Sequence, residues 1–590
     1  MVRQLQDTQE HLQSADVDQA AVSAQNTRRA LALARGQLKF YQPVSSLILG
    51  QYATSNLNQL VDFADQASTA VIDSTKALDS TTKIVQHALS GQPGNIKPVI
   101  ATAQVAITAS YHQISLVEAT LKNSPELLTL TPFQIGEHLT KVQDYLANYR
   151  NYLDQSRELM DILPVLLGTD SKKTYLILLQ NNAELRPTGG FIGSYALATF
   201  DQGALLDIQV EDVYTADGQL KGHVEPPAPI KRYLGEAGWF LRDSNWDPNF
   251  SISAARAAWF LDKELGQKVD GVIGVNLYAI QKLLEVTGPV NLPDYDETIT
   301  AQNLFDRAQY QVEINQFPGS TQKKDFIGTL TNSLITTLIN SPQQTWFQTS
   351  FKLAQLANQN QLTFWVDDQE IMRTLEDIGW SGELLGSTCP ATLKSPTCYL
   401  DYLAVVDANV GVNKVNYFIT RELTYHPIIS SSGAITANLT IKLTNSSPDA
   451  TWPGGTYHNY TRVYAPAGSS LQEITVGGIR LPDTDITTNI ESGKTVFGFI
   501  NLTPPLQTST IEVKYRLPKA ILPGSPTAYH LLVQKQPGTR ADPLLISLTH
   551  PTNLTPVTKD QAVLTGKQRL SLNTHLEQNQ TMTVEFARTL

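Results

Sequence analysis

In the stretch Gln180-Asn-Asn-Ala-Glu-Leu-Arg-Pro-Thr-Gly-Gly-Phe-Ile-Gly-Ser194, amides, a carboxylate and a guanidinium lie close together at Asn181, Asn182, Glu184 and Arg186, just ahead of Gly189 and Gly190. An arginine can grip a phosphate through two parallel hydrogen bonds, and paired glycines let backbone N–H groups come close to an anion. The plainer alternative is a polar turn in which Glu184 and Arg186 merely pair in solvent. A second group is Trp239-Phe-Leu-Arg-Asp-Ser-Asn-Trp-Asp-Pro-Asn-Phe250, where Trp239, Phe240 and Trp246 flank Arg242, Asp243 and Asp247. Arginine, two carboxylates and aromatic surface suit a phosphate or sugar site with a divalent cation. Equally, the rings could pack on a core while the aspartates cap a helix starting near Ser251. A weaker third group is Ser320-Thr-Gln-Lys-Lys-Asp-Phe326, where Lys323 and Lys324 either oppose the dipole of a helix for the sake of a ligand or are simply solvated.

Cys389 and Cys398 are the only cysteines, and no His stands near enough to complete a zinc set. A disulfide closing this Pro-containing loop is the expectation, worth roughly 2–3 kcal/mol, with two unpaired thiols as the alternative. Such a bond would suit an oxidising compartment outside the membrane. No Gly-x-Ser-x-Gly elbow, Walker loop, His-Glu-x-x-His or Cys-x-x-Cys occurs.

These side chains need elements to hold them. The chain has 590 residues, enough for several cores, and its 44 Lys+Arg against 55 Asp+Glu leave a net charge of −11. That balance provides no basic footprint for nucleic acid. Residues 1–165 read as helices: Leu57, Ala64, Val71, Leu78 and Val85 recur every seven residues until Ser90-Gly-Gln-Pro-Gly94 breaks the run. Ala103, Ile107, Ser110, Ile114, Val117 and Leu121 mark a second helix, and Ile135, Leu139, Val142, Leu146, Tyr149 and Leu153 a third. The expected arrangement is an antiparallel bundle or coiled-coil stalk.

Residues 172–415 alternate strand-like runs (174–180, 192–200, 204–210, 269–276) with helix-like ones (253–265, 277–286, 325–339, 369–377), the mark of an α/β domain. Arg186 then falls beyond the carboxyl end of a buried strand, where ligands sit in open α/β sheets. In residues 416–590, Ile435, Ala437, Leu439, Ile441 and Leu443 alternate with polar residues, as do Ile511, Val513, Tyr515 and Leu517, which predicts an antiparallel β-sandwich. No apolar run reaches about 18 residues, and the polar N-terminus lacks a signal-peptide core.

Asn181 to Ser194, with Val269-Asp-Gly-Val-Ile-Gly-Val275 and Thr287-Gly-Pro-Val290, resembles the bacterial family called domain of unknown function 4012. Val405-Val-Asp-Ala-Asn-Val-Gly-Val-Asn-Lys414 resembles the segment that closes that domain. The resemblance spans residues 172–415 and implies a membrane helix ahead of the helical region, expected upstream of Met1. The domain is in turn distantly similar to the LytR-CpsA-Psr phosphotransferases, which move a glycopolymer from a polyprenyl-pyrophosphate carrier onto peptidoglycan, usually with Mg²⁺. Leu241-Arg-Asp-Ser244 is similar to that family's Pro-Arg-Asp-Thr motif, and Lys323-Lys-Asp-Phe326 stands where it has Arg-x-x-Arg-Gln. Two departures weaken the match: Lys replaces Arg in the latter run, and Gly189-Gly190 occupies the place of an expected Asp.

The resemblance implies catalytic roles for Arg186, Arg242 and Asp243, with Lys323 and Lys324 helping to neutralise the pyrophosphate. Asn181, Asn182, Glu184, Gly189 and Gly190 would contact substrate; Glu184, Asp243 or Asp247 would hold Mg²⁺; Trp239, Phe240 and Trp246 would line the mouth of a lipid tunnel. The partners would be a polyprenyl-linked glycan and a cell-wall polymer at the outer face of the bacterial membrane. The rival expectation is a non-catalytic surface, adhesion or scaffold protein that binds glycan, lipid or a protein partner.

Overall fold

The computed structural model describes residues 17–123, 139–310, 322–386, 388–391, 393–395, 397–521, 526–559 and 563–588. Three helices lead, α1 (Val17–Leu89), α2 (Lys97–Asn123) and α3 (Leu139–Leu166). On α2 the six residues picked out by spacing are all buried. On α1 the side chains that meet them are Ala70, Ala77 and Ile84, one position before Val71, Leu78 and Val85. One residue is about 100° of helix rotation, so the face turned to α2 lies one step from the stripe that the spacing marks. Ile135 and the side chains of Leu57, Leu139 and Val142 lie outside the described residues. The third helix is docked on the central region: Gln155 Nε2 donates to the Ile378 carbonyl at 3.0 Å, and the Tyr152 ring lies 5.4 Å from that of Phe351.

The central region holds β1 (Lys173–Asn181), β2 (Phe191–Asp201), β3 (Ala204–Asp212), a short α4 (Val213–Asp217), α5 (Phe250–Leu265), β4 (Gly271–Asn276) and α6 (Leu277–Thr287). A small hairpin of β5 (Val290–Leu292) and β6 (Glu297–Ile299) comes next, then α7 (Leu304–Gln309), α8 (Gln322–Ile339), α9 (Gln343–Asn358), β7 (Leu362–Val366) and α10 (Gln369–Asp377). The sheet runs β3-β2-β1-β4-β7; β1 and β4 are parallel and every other pair is antiparallel. One face, with Leu176, Leu178 and Ile192, is sealed by Phe250, Ala254 and Ala257 of α5. The other is covered less completely: Ile177 and Leu179 stay half-buried beneath α8.

The C-terminal region is two sheets, of eight and seven strands, sharing one apolar core. Ile435 to Leu443 are buried at every second position, as the alternation requires. Strand β8 (Thr397–Asn409) is the middle strand of the seven, antiparallel to Tyr457–Pro466 and parallel to Thr527–Gln534. From Thr397 onward, then, the residues read as the end of the α/β region already belong to this sheet. Cys389 and Cys398 are joined in a disulfide at its entrance.

Candidate functional site

After Asn181 the chain turns through Glu184 and Arg186 and re-enters the sheet at Phe191, and residues 183–190 are buried throughout. The C-terminal region covers them. The Asn409 N–H donates to the Leu185 carbonyl (2.9 Å) and the Asn416 N–H to that of Ala183 (3.0 Å). Gln536 Nε2 donates to the Arg186 carbonyl at 3.2 Å, and Asn182 Nδ2 to that of Gly538 at 3.2 Å. Gly189 takes φ +140°, and a Cβ on Gly190 would stand 2.3 Å from the Asn181 carbonyl carbon. The Gly189 N–H donates to the Arg186 carbonyl and the Gly190 N–H to Gln180 Oε1. Both glycines therefore serve the tightness of the turn and leave no N–H nest for an anion.

The charged groups do meet. Arg186 Nη2 donates to Glu184 Oε1 at 3.0 Å, while Glu184 Oε2 accepts from Lys414 Nζ at 2.5 Å. Arg242 Nη1 donates to Asp217 Oδ2 at 2.7 Å and Nη2 to Glu236 Oε2 at 2.8 Å. Asp243 sits between the two guanidinia, 3.6 Å from Arg186 Nε and 3.5 Å from Arg242 Nε. The convergence expected of Arg186 and Arg242 is thus present, but inside the protein, with the Arg186 side chain 3% exposed and that of Arg242 13%. Burial raises the Glu184 carboxyl, yet Arg186 and Lys414 outweigh it and hold the group below its ordinary value. For Asp243 burial wins over the same kind of partners, and its carboxyl is raised. Burial also pushes Asp217 up to about 6, and Glu264, whose Oε1 accepts from the Leu241 N–H, up to about 7.

Glu184 has a cation on each oxygen and Asp243 has one on either side. Asp247 serves the start of α5, its Oδ1 accepting from the Asn249 N–H at 2.8 Å. Among the described residues no three of His, Cys, Asp or Glu are grouped to hold a metal, and this set does not fit magnesium. Trp239 donates through Nε1 to the Asp243 carbonyl and packs edge-on against Phe260. Trp246 stacks on Tyr460 beneath Arg462, which donates to the Trp246 carbonyl at 2.9 Å. These rings build a core and a joint rather than a tunnel mouth, and the Phe240 ring lies under the Arg242 guanidinium. Lys323 and Lys324 fall in the first turn of α8, with side chains outside the described residues.

On the half-covered sheet face, a cavity of about 290 Å³ is walled by Ile177, Leu179, Ala196 and Val275 below and by Leu330 and Leu334 of α8 above. One end is polar. There the Phe191 ring lies 5.3 Å from Lys414 Nζ and 5.4 Å from the Arg186 guanidinium, so the buried ion chain abuts the apolar space. Sequence reasoning did not single out Lys414, Asp217, Glu236 or the apolar face of α8. Lys414 left a trace, as the single cation between Tyr399 and Phe418.

Among solved structures, a Legionella pneumophila protein described as nutrient binding shares 7% identity with the chain at a TM-score of 0.22, over 31% of this chain and 70% of that one. Native yeast LTA4 hydrolase shares 9% at 0.19 over 29% of each chain. An M1 zinc metallopeptidase of Deinococcus radiodurans shares 10% at 0.17 over 29% and 42%. The chain thus spans less than half the length of either of these last two. No curated protein matches it. Residues 170–312, from just before β1 to just after α7, match the family described as protein of unknown function, DUF4012, the family that the Asn181–Ser194 motif resembles.

Proposed function

We propose that the chain is a non-catalytic binding protein of the bacterial cell surface whose central region takes up the apolar chain of a lipid-like ligand, with the N-terminal helices and C-terminal sheets as scaffold. The cavity between the sheet and α8 carries this reading: its wall is mostly aliphatic and aromatic with a few polar groups at one end, the usual composition of a small-molecule site. The arginines point away from diphosphate chemistry. Each is neutralised by carboxylates inside the protein, and a diphosphate would have to displace those partners at the cost of leaving charges buried and unpaired. The Cys389–Cys398 disulfide supports a location outside the cytoplasm.

A polyprenyl-pyrophosphate transferase remains the second reading, favoured by the meeting of Arg186 and Arg242 at Asp243, with Arg186 next to the Phe191 ring that lines the cavity. Titration with the neutral fluorophore N-phenyl-1-naphthylamine separates the two. The full chain is expected to bind it saturably, and Ala196→Phe, which fills the cavity, to weaken binding about tenfold or more. Failure of the wild type to bind, or full binding by the variant, would overturn the proposal. So would glycan transfer to peptidoglycan from a polyprenyl-pyrophosphate donor with Mg²⁺.

A further inference from the structure

The cavity's polar lining is almost fully self-satisfied. Gln180 Oε1 accepts from Thr188, the Gly190 N–H and Asn245. Asn276 donates to Gln361 and accepts from the Ala279 N–H; Asn181 accepts from the Ala183 N–H; Thr331 donates to the Ile327 carbonyl; and Lys414 is paired with Glu184. Two groups break the pattern. Ser194 Oγ and Gln309 Oε1 are buried without a hydrogen-bond partner, on residues only 2% and 5% exposed, and both residues line this cavity. Such groups are costly unless something else bonds them. Ser194 stands opposite Leu179 across the β1–β2 pair, beside the bulge at Gly193, and so toward the polar end of the space.

The chemistry asked of a ligand is specific. A serine hydroxyl both donates and accepts, and a glutamine amide offers an acceptor or a donor according to how it is turned. A ligand hydroxyl can answer either. Charge decides against an anion: Lys414, the cation among the described lining residues, is already held by Glu184, whose other oxygen takes Arg186 behind the Phe191 ring. A carboxylate or phosphate head would find no uncompensated cation among the described lining residues to receive it.

We infer that the ligand is an uncharged long-chain or isoprenoid alcohol, its apolar chain against α8 and its hydroxyl between Ser194 and Gln309. This deepens the reading of the cavity as an apolar-chain site and rests on it. Displacement of bound N-phenyl-1-naphthylamine from the full chain by 1-dodecanol, dodecanoate, dodecyl phosphate and dodecane tests the two separately. Dodecanol is expected to compete at about one-tenth the concentration of either anion, the contribution of two hydrogen bonds. In the Ser194→Ala, Gln309→Leu double variant, dodecane should compete as before and dodecanol should lose its advantage over it. If an anion matches or beats the alcohol, or if the double variant keeps the preference, the alcohol assignment is overturned while the apolar site stands. If no chain displaces the fluorophore, both fall.

Discussion

Glu184 is the residue on which the ion chain turns, because each of its oxygens holds a different cation. Replacing it with Gln leaves Arg186 and Lys414 buried with one neutral partner between them, which should cost about 3–5 kcal/mol in urea unfolding at pH 7. The group's lowered value sets the sign of its pH dependence. Its stabilisation is present above the unfolded carboxyl range and is lost as pH falls through the folded value, so the difference between wild type and Glu184→Gln should shrink in acid. Glu264 behaves oppositely. With its carboxyl raised from 4.5 to about 7, folding favours the protonated form, and stability from this group is lost as pH rises between those values. Glu264→Gln keeps an acceptor for the Leu241 N–H and should raise the melting temperature by a few degrees at pH 8 while changing it little at pH 4, as thermal unfolding at the two values would show.

At the scale of elements, periodicity located most of what surrounds the site. The helix expected over 369–377 spans Gln369–Asp377, and that expected over 277–286 spans Leu277–Thr287. The central strands fall where short apolar runs predict them, since β1 and β4 set apolar side chains on both faces, one against α5 and the other beneath α8. β7 escaped notice because Leu362–Val366 is five residues long and comes directly after α9, and α9 itself breaks its apolar pattern with Gln, Thr and Ser. The candidate site was legible only in part. Residue types announced the charged groups of Glu184, Arg186 and Arg242, but not that Lys414, 230 residues along the chain, would pair with Glu184 or that Asp217 would pair with Arg242. Local sequence also reveals nothing about what covers a turn. The same Asn181–Gly190 segment would be a solvent-facing turn without Asn409, Asn416 and Gln536 packed over it.

For the whole molecule, that covering is the central fact of its organisation. The turn joins the α/β region to the C-terminal sheets by paired backbone groups, and the joint is reinforced by Trp246 on Tyr460, by Arg462 and by Gln361, which donates to the Thr539 carbonyl at 2.7 Å. Buried polar contacts of this density make the two regions one mechanical unit, with the cavity beneath α8 left to one side of the joint. The position of β8 carries a practical consequence. A fragment cut after residue 415 would keep Thr397–Asn409 as a ribbon stripped of the neighbours on either side, its amides and carbonyls bare along both margins. The remainder would have a gap of the same width at the centre of a seven-membered sheet. Expressed apart, such halves would adhere to their own copies; expressed together, each would be the other's missing strand or slot.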